Sequence, residues 1–252
     1  METYKNLCTQ FYDLDKPTAP VDDLNFYLEY AKNADGAIFE PMCGTGRFLI
    51  PMLERGFDIE GSDASQYMLA VCREKCEAKQ LKPKLYHQFL QQMAFKNRYA
   101  LIFIPSGSFW LMTDVAEAKR CLGILSNHLL PGGKMVFEIE TTDAIPHDLG
   151  SSQEKCVNGK NGERIKLISV SSYNPEKQIL SFLSCYELSL NDKILKTESE
   201  NFQIRLYHDN EIDAWLEEAG FKIVSRHGDF YRKPFQTGDE MIIYECEKVS
   251  NE

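Results

Sequence analysis

Glu40-Pro41-Met42-Cys43-Gly44-Thr45-Gly46-Arg47 and, a little further on, Gly61-Ser62-Asp63-Ala64-Ser65 decide the fold. The first stretch follows a short apolar run at residues 37–40 and leads into Phe48, Leu49, Met52 and Leu53 at helical spacing. The second closes another short run at 57–62 and opens a periodic segment at 64–80. Each is a strand-to-helix junction, and in open α/β sheets ligands sit at such junctions, outside the carboxyl ends of the strands. Gly44 and Gly46 let the backbone approach a ligand closely, and the free amides at the helix start attract an anion. Asp63, 23 residues after Glu40, is placed to accept hydrogen bonds from both hydroxyls of a ribose.

The rest of the chain extends this pattern. The first helix is expected over 46–54 with Gly56 closing it, and the second over 64–80 with Tyr67, Met68, Val71 and Cys72 on one face. Strands are expected at 85–90 and 99–104, a helix at 115–127, and a strand at 134–140 after the Pro131-Gly132-Gly133 turn. Segments 163–173, 178–190 and 193–206 are β-rich and separated by turn residues, which suits antiparallel hairpins. The core pattern then returns, with Asp209 as N-cap of a helix through Ala219 and strands at 221–226 and 240–247. A helix at 22–31 precedes the core. The fold class is α/β: a doubly wound, mostly parallel seven-stranded, Rossmann-like sheet with an inserted antiparallel β lid. Residues 1–140 and 207–252 are expected to form the core domain, and 141–206 the lid.

Composition excludes several functions. The net charge of −10 repels phosphate backbones, so nucleic acid is not an expected partner, although acidity also serves solubility alone. No apolar run reaches the length of a membrane span and no signal peptide opens the chain, so no membrane is expected and the location should be cytoplasmic. The eight cysteines are scattered without a two-residue gap and are expected as reduced thiols. Cys72 and Cys76, one helical turn apart, have no nearby histidine, and no metal site is expected.

Two cofactor classes fit the glycine loop. A dinucleotide site wants a third glycine three positions after the second, where this chain has Leu49, and it would set a pyrophosphate against the Glu40 carboxylate. S-adenosylmethionine instead brings a sulfonium, an ammonium and one carboxylate. The cations can lie toward Glu40 while the carboxylate meets the loop amides and Arg47.

With EPMCGTGR, SDAS followed by Met68, LIFIPSGSF after the fourth strand, LLPGGKMVFEIE at the fifth and HDNEIDAWLEEAGF near the end, the chain resembles the class I S-adenosylmethionine-dependent methyltransferases across its whole core. The inserted strands and Tyr12 resemble, more narrowly, the sugar N,N-dimethyltransferases and the glycine N-methyltransferases. The resemblance implies S-adenosyl-L-methionine as cofactor. It implies that Glu40, Met42, Gly44, Gly46 and Arg47 surround the methionine end and that Asp63 takes the ribose. Ala64, Met68, Phe89 and Leu90 would wall the adenine, and Pro105 and Ser106 would line the sulfonium.

Two positions depart from the family pattern. Met42 stands where the loop usually has its first glycine, and Phe89-Leu90 where an acidic residue often binds the adenine amino group; Gln91 or Gln92 is available to replace that acid. The resemblance further implies methyl transfer to nitrogen or oxygen of a small-molecule acceptor, with Tyr12 and Ser108 as catalytic candidates. Ser106, Trp110, Tyr186, Arg205 and His208 are further residues for the acceptor region. Glu138 and Glu140, at the end of the fifth strand, are expected to point in different directions. A non-catalytic cofactor-binding protein and a nicotinamide-dependent oxidoreductase remain alternatives at this stage, and the oligomeric state is open.

Overall fold

In the computed structural model, which describes residues 4–94, 96–159 and 161–249, seven strands form the central sheet. In chain order they are β1 (Ile38–Pro41), β2 (Ile59–Asp63), β3 (Lys84–His87), β4 (Tyr99–Ile104), β5 (Leu129–Glu140), and, after the insertion, β10 (Phe221–His227) and β11 (Met241–Lys248). Their spatial order is β10-β11-β5-β4-β1-β2-β3, with β11 antiparallel to both neighbours and the other pairings parallel. The chain reverses its direction of travel across the sheet between β1 and β4, which opens the crevice where α/β folds bind ligands.

Apolar residues on the strands fill both faces. Phe39, Ile102, Ile104, Phe137 and Ile242 join one buried cluster; Ile38, Leu101, Phe103, Val136 and Ile243 join the other. Successive side chains of a strand point to opposite faces, so strands covered on both sides need apolar residues throughout. One cluster is closed by α5 (Val115–Asn127) and α6 (Asp213–Glu218), and the other by α2 (Val21–Lys32), α3 (Leu49–Glu54) and α4 (Gln66–Ala78).

The β-rich insertion is a separate antiparallel sheet of β6 (Ser152–Asn158), β7 (Glu163–Asn174), β8 (Ile179–Leu190) and β9 (Lys193–Arg205), in that order. Helix α1 (Asn6–Asp15) packs on it through Leu7, Cys8 and Phe11 against Ile165 and Tyr186. Glu198 and Glu200 of β9 meet the amino end of α1. Glu200 Oε1 accepts from the Lys5 amide at 2.6 Å, and Glu198 Oε1 accepts from the Leu7 and Cys8 amides at 2.8 and 3.0 Å. Carboxylates at a helix amino terminus satisfy its orphan donors and its positive dipole end.

Four local expectations are corrected. The helix expected from residue 46 begins at Leu49, because Gly46 holds a φ of +81° and residues 44–48 form turns. The third strand ends at His87, so Leu90 opens a short 3-10 helix, Leu90–Gln92, with Phe89 as its N-cap. Asp209 caps no helix: its side chain accepts from the Thr237 hydroxyl, and α6 starts at Asp213. Glu138 and Glu140 do not diverge, because residues two apart on a strand share a face; both line the same cavity.

Candidate functional site

The glycine loop runs from the end of β1 to α3. Met42 holds a φ of +60°, the left-handed region that glycine favours, and Gly44 holds +54°. Met42 thus takes the backbone conformation of the glycine it replaces, at a cost of roughly 1–2 kcal/mol, and its side chain packs partly on the core while lining a cavity. Strain of this kind concentrates at functional sites. Gly46 is needed for packing: a Cβ there would lie 2.7 Å from Cys72 Sγ. Leu49 occupies the space that Gly61 leaves free, since a Cβ on Gly61 would lie 2.5 Å from Leu49 Cδ1. Close helix-to-strand contact is therefore achieved by a glycine on β2, without the third loop glycine of a dinucleotide site.

Asp63 closes the loop from the neighbouring strand. Its Oδ2 accepts from the Gly44 amide and its Oδ1 from the Ser65 amide, both at 2.8 Å. Burial raises its carboxyl pKa, and these amide donors oppose the rise. Glu40, 1% exposed at the end of β1, has an Oε2 without any hydrogen-bond partner. Burial pushes its carboxyl well above the usual range; Arg47 opposes that shift and Asp63 reinforces it. Arg47 itself donates from Nη1 to the Tyr12 hydroxyl at 2.8 Å, leaving its buried Nε unpaired.

Two cavities flank this loop. The first, about 270 Å³, brings together Met42, Gly44, Asp63, Ala64, Met68, Phe89 and Leu90 with the candidates Tyr12 and Ser108. Gln88 and Gln91 also line it, with Gln88 Nε2 and Gln91 Oε1 buried and unpartnered. Of the two residues offered in place of the missing acid, Gln91 lines this cavity and Gln92 does not. Gln88, Tyr4 and the β9 residues Asn201 and Gln203 were not expected there. No short pattern marks them, because their presence depends on how the insertion and the amino-terminal segment fold back.

The second cavity, about 740 Å³, holds Arg47, Ser106, Trp110, Glu138 and Glu140, with Lys16 and Glu240 contributed by distant segments. Ser106, with a φ of +56°, donates its amide to Glu138 Oε1 at 2.7 Å. Glu40, Gly46 and Pro105 line neither cavity but are buried beside the loop or after β4. Ser108 Oγ donates to the Pro105 carbonyl at 3.0 Å, so its proton is already committed.

Other acceptor-region candidates serve structural roles. Tyr186 packs against Phe11, and Arg205 pairs with Glu211 at 2.7 Å. His208 lies at the exposed junction with β9 and lines neither cavity. Among the described residues no group of three or more His, Cys, Asp or Glu side chains is arranged to hold a metal ion, and no helix is long and apolar enough to cross a membrane.

A sheet of this order with only β11 reversed is the class I fold of the S-adenosylmethionine-dependent methyltransferases. Residues 38–133 match the family model described as a methyltransferase domain. A protein of Geobacillus sp. (strain WCH70) named as a methyltransferase is 22% identical over 98% of this chain and 100% of its own length. Among solved structures, an S-adenosylmethionine-dependent methyltransferase from Clostridium acetobutylicum ATCC 824 superposes with a TM-score of 0.79 at 18% identity, covering 96% of this chain and 97% of that one. A sugar N-methyltransferase from Streptoalloteichus sp ATCC 53650 superposes with a TM-score of 0.76 at 17% identity, covering 99% and 97%.

Proposed function

We propose that this protein uses S-adenosylmethionine to methylate a nitrogen or oxygen of a small-molecule acceptor. The observation that carries the reading is the buried Glu40 carboxylate with its unpartnered Oε2 beside a glycine turn. A buried charge without a partner is costly, and a cationic ligand group supplies that partner. Glu40 would hold the ammonium of the methionine end, and Asp63 the ribose hydroxyls. A carboxylate has about four acceptor sites, so the two loop amides leave Asp63 capacity for both. Gln88 Nε2 and Gln91 Oε1 offer one donor and one acceptor, the complement of the adenine edge. Ala64, Met68, Phe89 and Leu90 would form its walls.

When bound, the cofactor supplies an activated methyl group on a sulfonium. The chain's own task is alignment, which can be worth about 7–11 kcal/mol of the barrier. Arg47 and Ser106 border the larger cavity, which would receive the acceptor. Helix α1 and the β6–β9 sheet would act as the lid, excluding water from the attacking atom. The Tyr12 hydroxyl accepts from Arg47, and burial raises its pKa although Arg47 opposes that shift; Tyr12 therefore acts as a neutral wall rather than as a base. The sugar N-methylation named for one structural neighbour supports a small polar acceptor.

The test is calorimetric titration with S-adenosylhomocysteine, set against Asp63→Ala and an NADH control. Saturable binding that falls strongly in the variant, with no NADH binding, is expected. Folded wild-type protein that binds NADH and not S-adenosylhomocysteine would reject the proposal.

A further inference from the structure

The larger cavity is lined by four carboxylates, Asp15, Glu138, Glu140 and Glu240, against two cations, Lys16 and Arg47. Acidic residues around a depression are ordinarily a solvated face, but Glu138 differs from its neighbours. It is 6% exposed, and its Oε1 accepts from both the Tyr27 hydroxyl at 2.9 Å and the Ser106 amide at 2.7 Å. Among the described residues nothing donates to its Oε2, although the side chain lines the cavity. The carboxylate is thus fixed through one oxygen and open at the other, next to the Ser106 turn where β4 ends. Arg47 of the glycine loop also lines the cavity, which therefore adjoins the loop proposed to hold the methyl donor.

We propose that the acceptor is an amine that arrives as an ammonium ion, and that Glu138 takes its proton through Oε2. This rests on the methyltransferase reading and narrows it to one acceptor class. The ammonium gives one proton to Glu138. The freed lone pair forms the N–C bond as the C–S bond breaks, its electron pair remaining on sulfur, which departs as a neutral thioether. The product leaves as an N-methylammonium ion, and Glu138 releases its proton to solvent.

An ammonium is drawn to the acidic cavity and is far more acidic than a neutral hydroxyl, so the carboxylate is better matched to an amine, and an acidic acceptor would be repelled. Burial pushes the Glu138 carboxyl up to about 7, opposed by the Tyr27 and Ser106 hydrogen bonds and reinforced by Asp23 and Glu140. Burial and Glu240 likewise bring Glu140 to about 7, with Lys16 opposing. The groups facing Glu138 are therefore Tyr27 and Asp23 from α2, Glu140 from β5, Arg47 from the loop, and Lys16 and Glu240 across the cavity. A base that titrates near neutral pH is matched to an exchange of this kind.

The test uses the protein saturated with S-adenosylhomocysteine and titrated with matched probes: glucosamine against glucose, and cyclohexylamine against cyclohexanol. Each amine should bind at least about tenfold more tightly than its alcohol. Glu138→Gln keeps an acceptor for Tyr27 and Ser106 and should bind S-adenosylhomocysteine as before, but lose the preference for amines. Glu140→Gln, which removes a charge without the anchored geometry, should lose less than about fivefold.

With S-adenosylmethionine and an amine that binds, kcat/KM of the wild type should rise with pH through about 7; Glu138→Gln should lower it by roughly 10²–10⁴-fold and abolish that limb. Intact S-adenosylhomocysteine binding with no amine preference, or a preference that survives Glu138→Gln, overturns the inference and leaves the methyltransferase reading standing. Absence of S-adenosylhomocysteine binding removes both.

Discussion

Glu40→Gln should shift stability and ligand binding in opposite directions. Glu40 is fully buried at the end of β1, and its Oε2 has no partner. An isosteric amide fills the same volume without a charge to desolvate. Leaving a buried polar group unsatisfied costs about 1–3 kcal/mol, a cost the amide shares, and more when it is charged, so the variant should be more stable than the wild type without ligand by the excess that belongs to the charge, about 1–2 kcal/mol. For a chain of this size that is roughly 2–4 °C per kcal/mol in the midpoint of thermal unfolding. The same change removes the proposed partner of the ligand's ammonium. A hydrogen bond to a charged group contributes about 1.5–3 kcal/mol, so affinity for S-adenosylhomocysteine should fall roughly 10- to 100-fold.

The pH dependence of Glu40→Gln follows from the raised folded-state pKa. A carboxyl whose pKa is higher in the folded than in the unfolded state favours folding fully below its unfolded value, and that contribution is lost as pH rises through the folded value. The gap between variant and wild type should therefore be largest above the raised folded-state value and close as pH falls into the ordinary carboxylate range. Urea unfolding at several pH values, with and without S-adenosylhomocysteine, measures both effects. A variant that is less stable without ligand, and equally stabilised by it, would refute the reasoning.

Two further perturbations test the loop and the lid. Gly46→Ala places a Cβ 2.7 Å from Cys72 Sγ and 2.9 Å from Ile50 Cδ1 at a φ of +81°; left-handed strain and overpacking together should cost roughly 2–5 kcal/mol, read from the denaturant midpoint, and Cys72→Ala in the same chain should recover part of it. Glu200→Gln weakens the carboxylate clamp on Lys5 and Tyr4 and should cost about 0.3–2 kcal/mol. That loss should appear as faster amide exchange in the first turn of α1 with unchanged exchange in β4, and equal acceleration in both would show that the clamp is not local.

The parallel core was legible in the sequence because its signals are short-ranged. Tyr99–Ile104 and Val115–Asn127 occur at the expected residues, since a fully buried strand and an amphipathic helix each declare themselves within one element. The junctions at Gly44, Gly46 and Asp63 were legible for the same reason. Helix α1 and strand β6 were not. The α1 sequence, NLCTQFYDLD, places Leu7, Cys8 and Phe11 on one face within only ten residues, too short to stand out beside the core pattern, and its amino end is held by carboxylates from β9, 191 residues away for Leu7. Strand β6, SQEKCVN, is almost entirely exposed and takes its register from β7, with Ser152 opposite Val170.

The amino-acid sequence by itself determined the alternation of strands and helices, the sheet buried on both faces, and the strand ends that face the crevice, because hydrophobic period and glycine placement act over a few residues. Tertiary structure alone decided that Met42 takes a left-handed turn, that Leu49 nests in the space of Gly61, and that Gln88 reaches the first cavity. It also decided that Glu138 is anchored by Tyr27, 111 residues away, with one oxygen left open. These arrangements depend on the register between elements that meet only when the whole core closes, and no local pattern encodes that register.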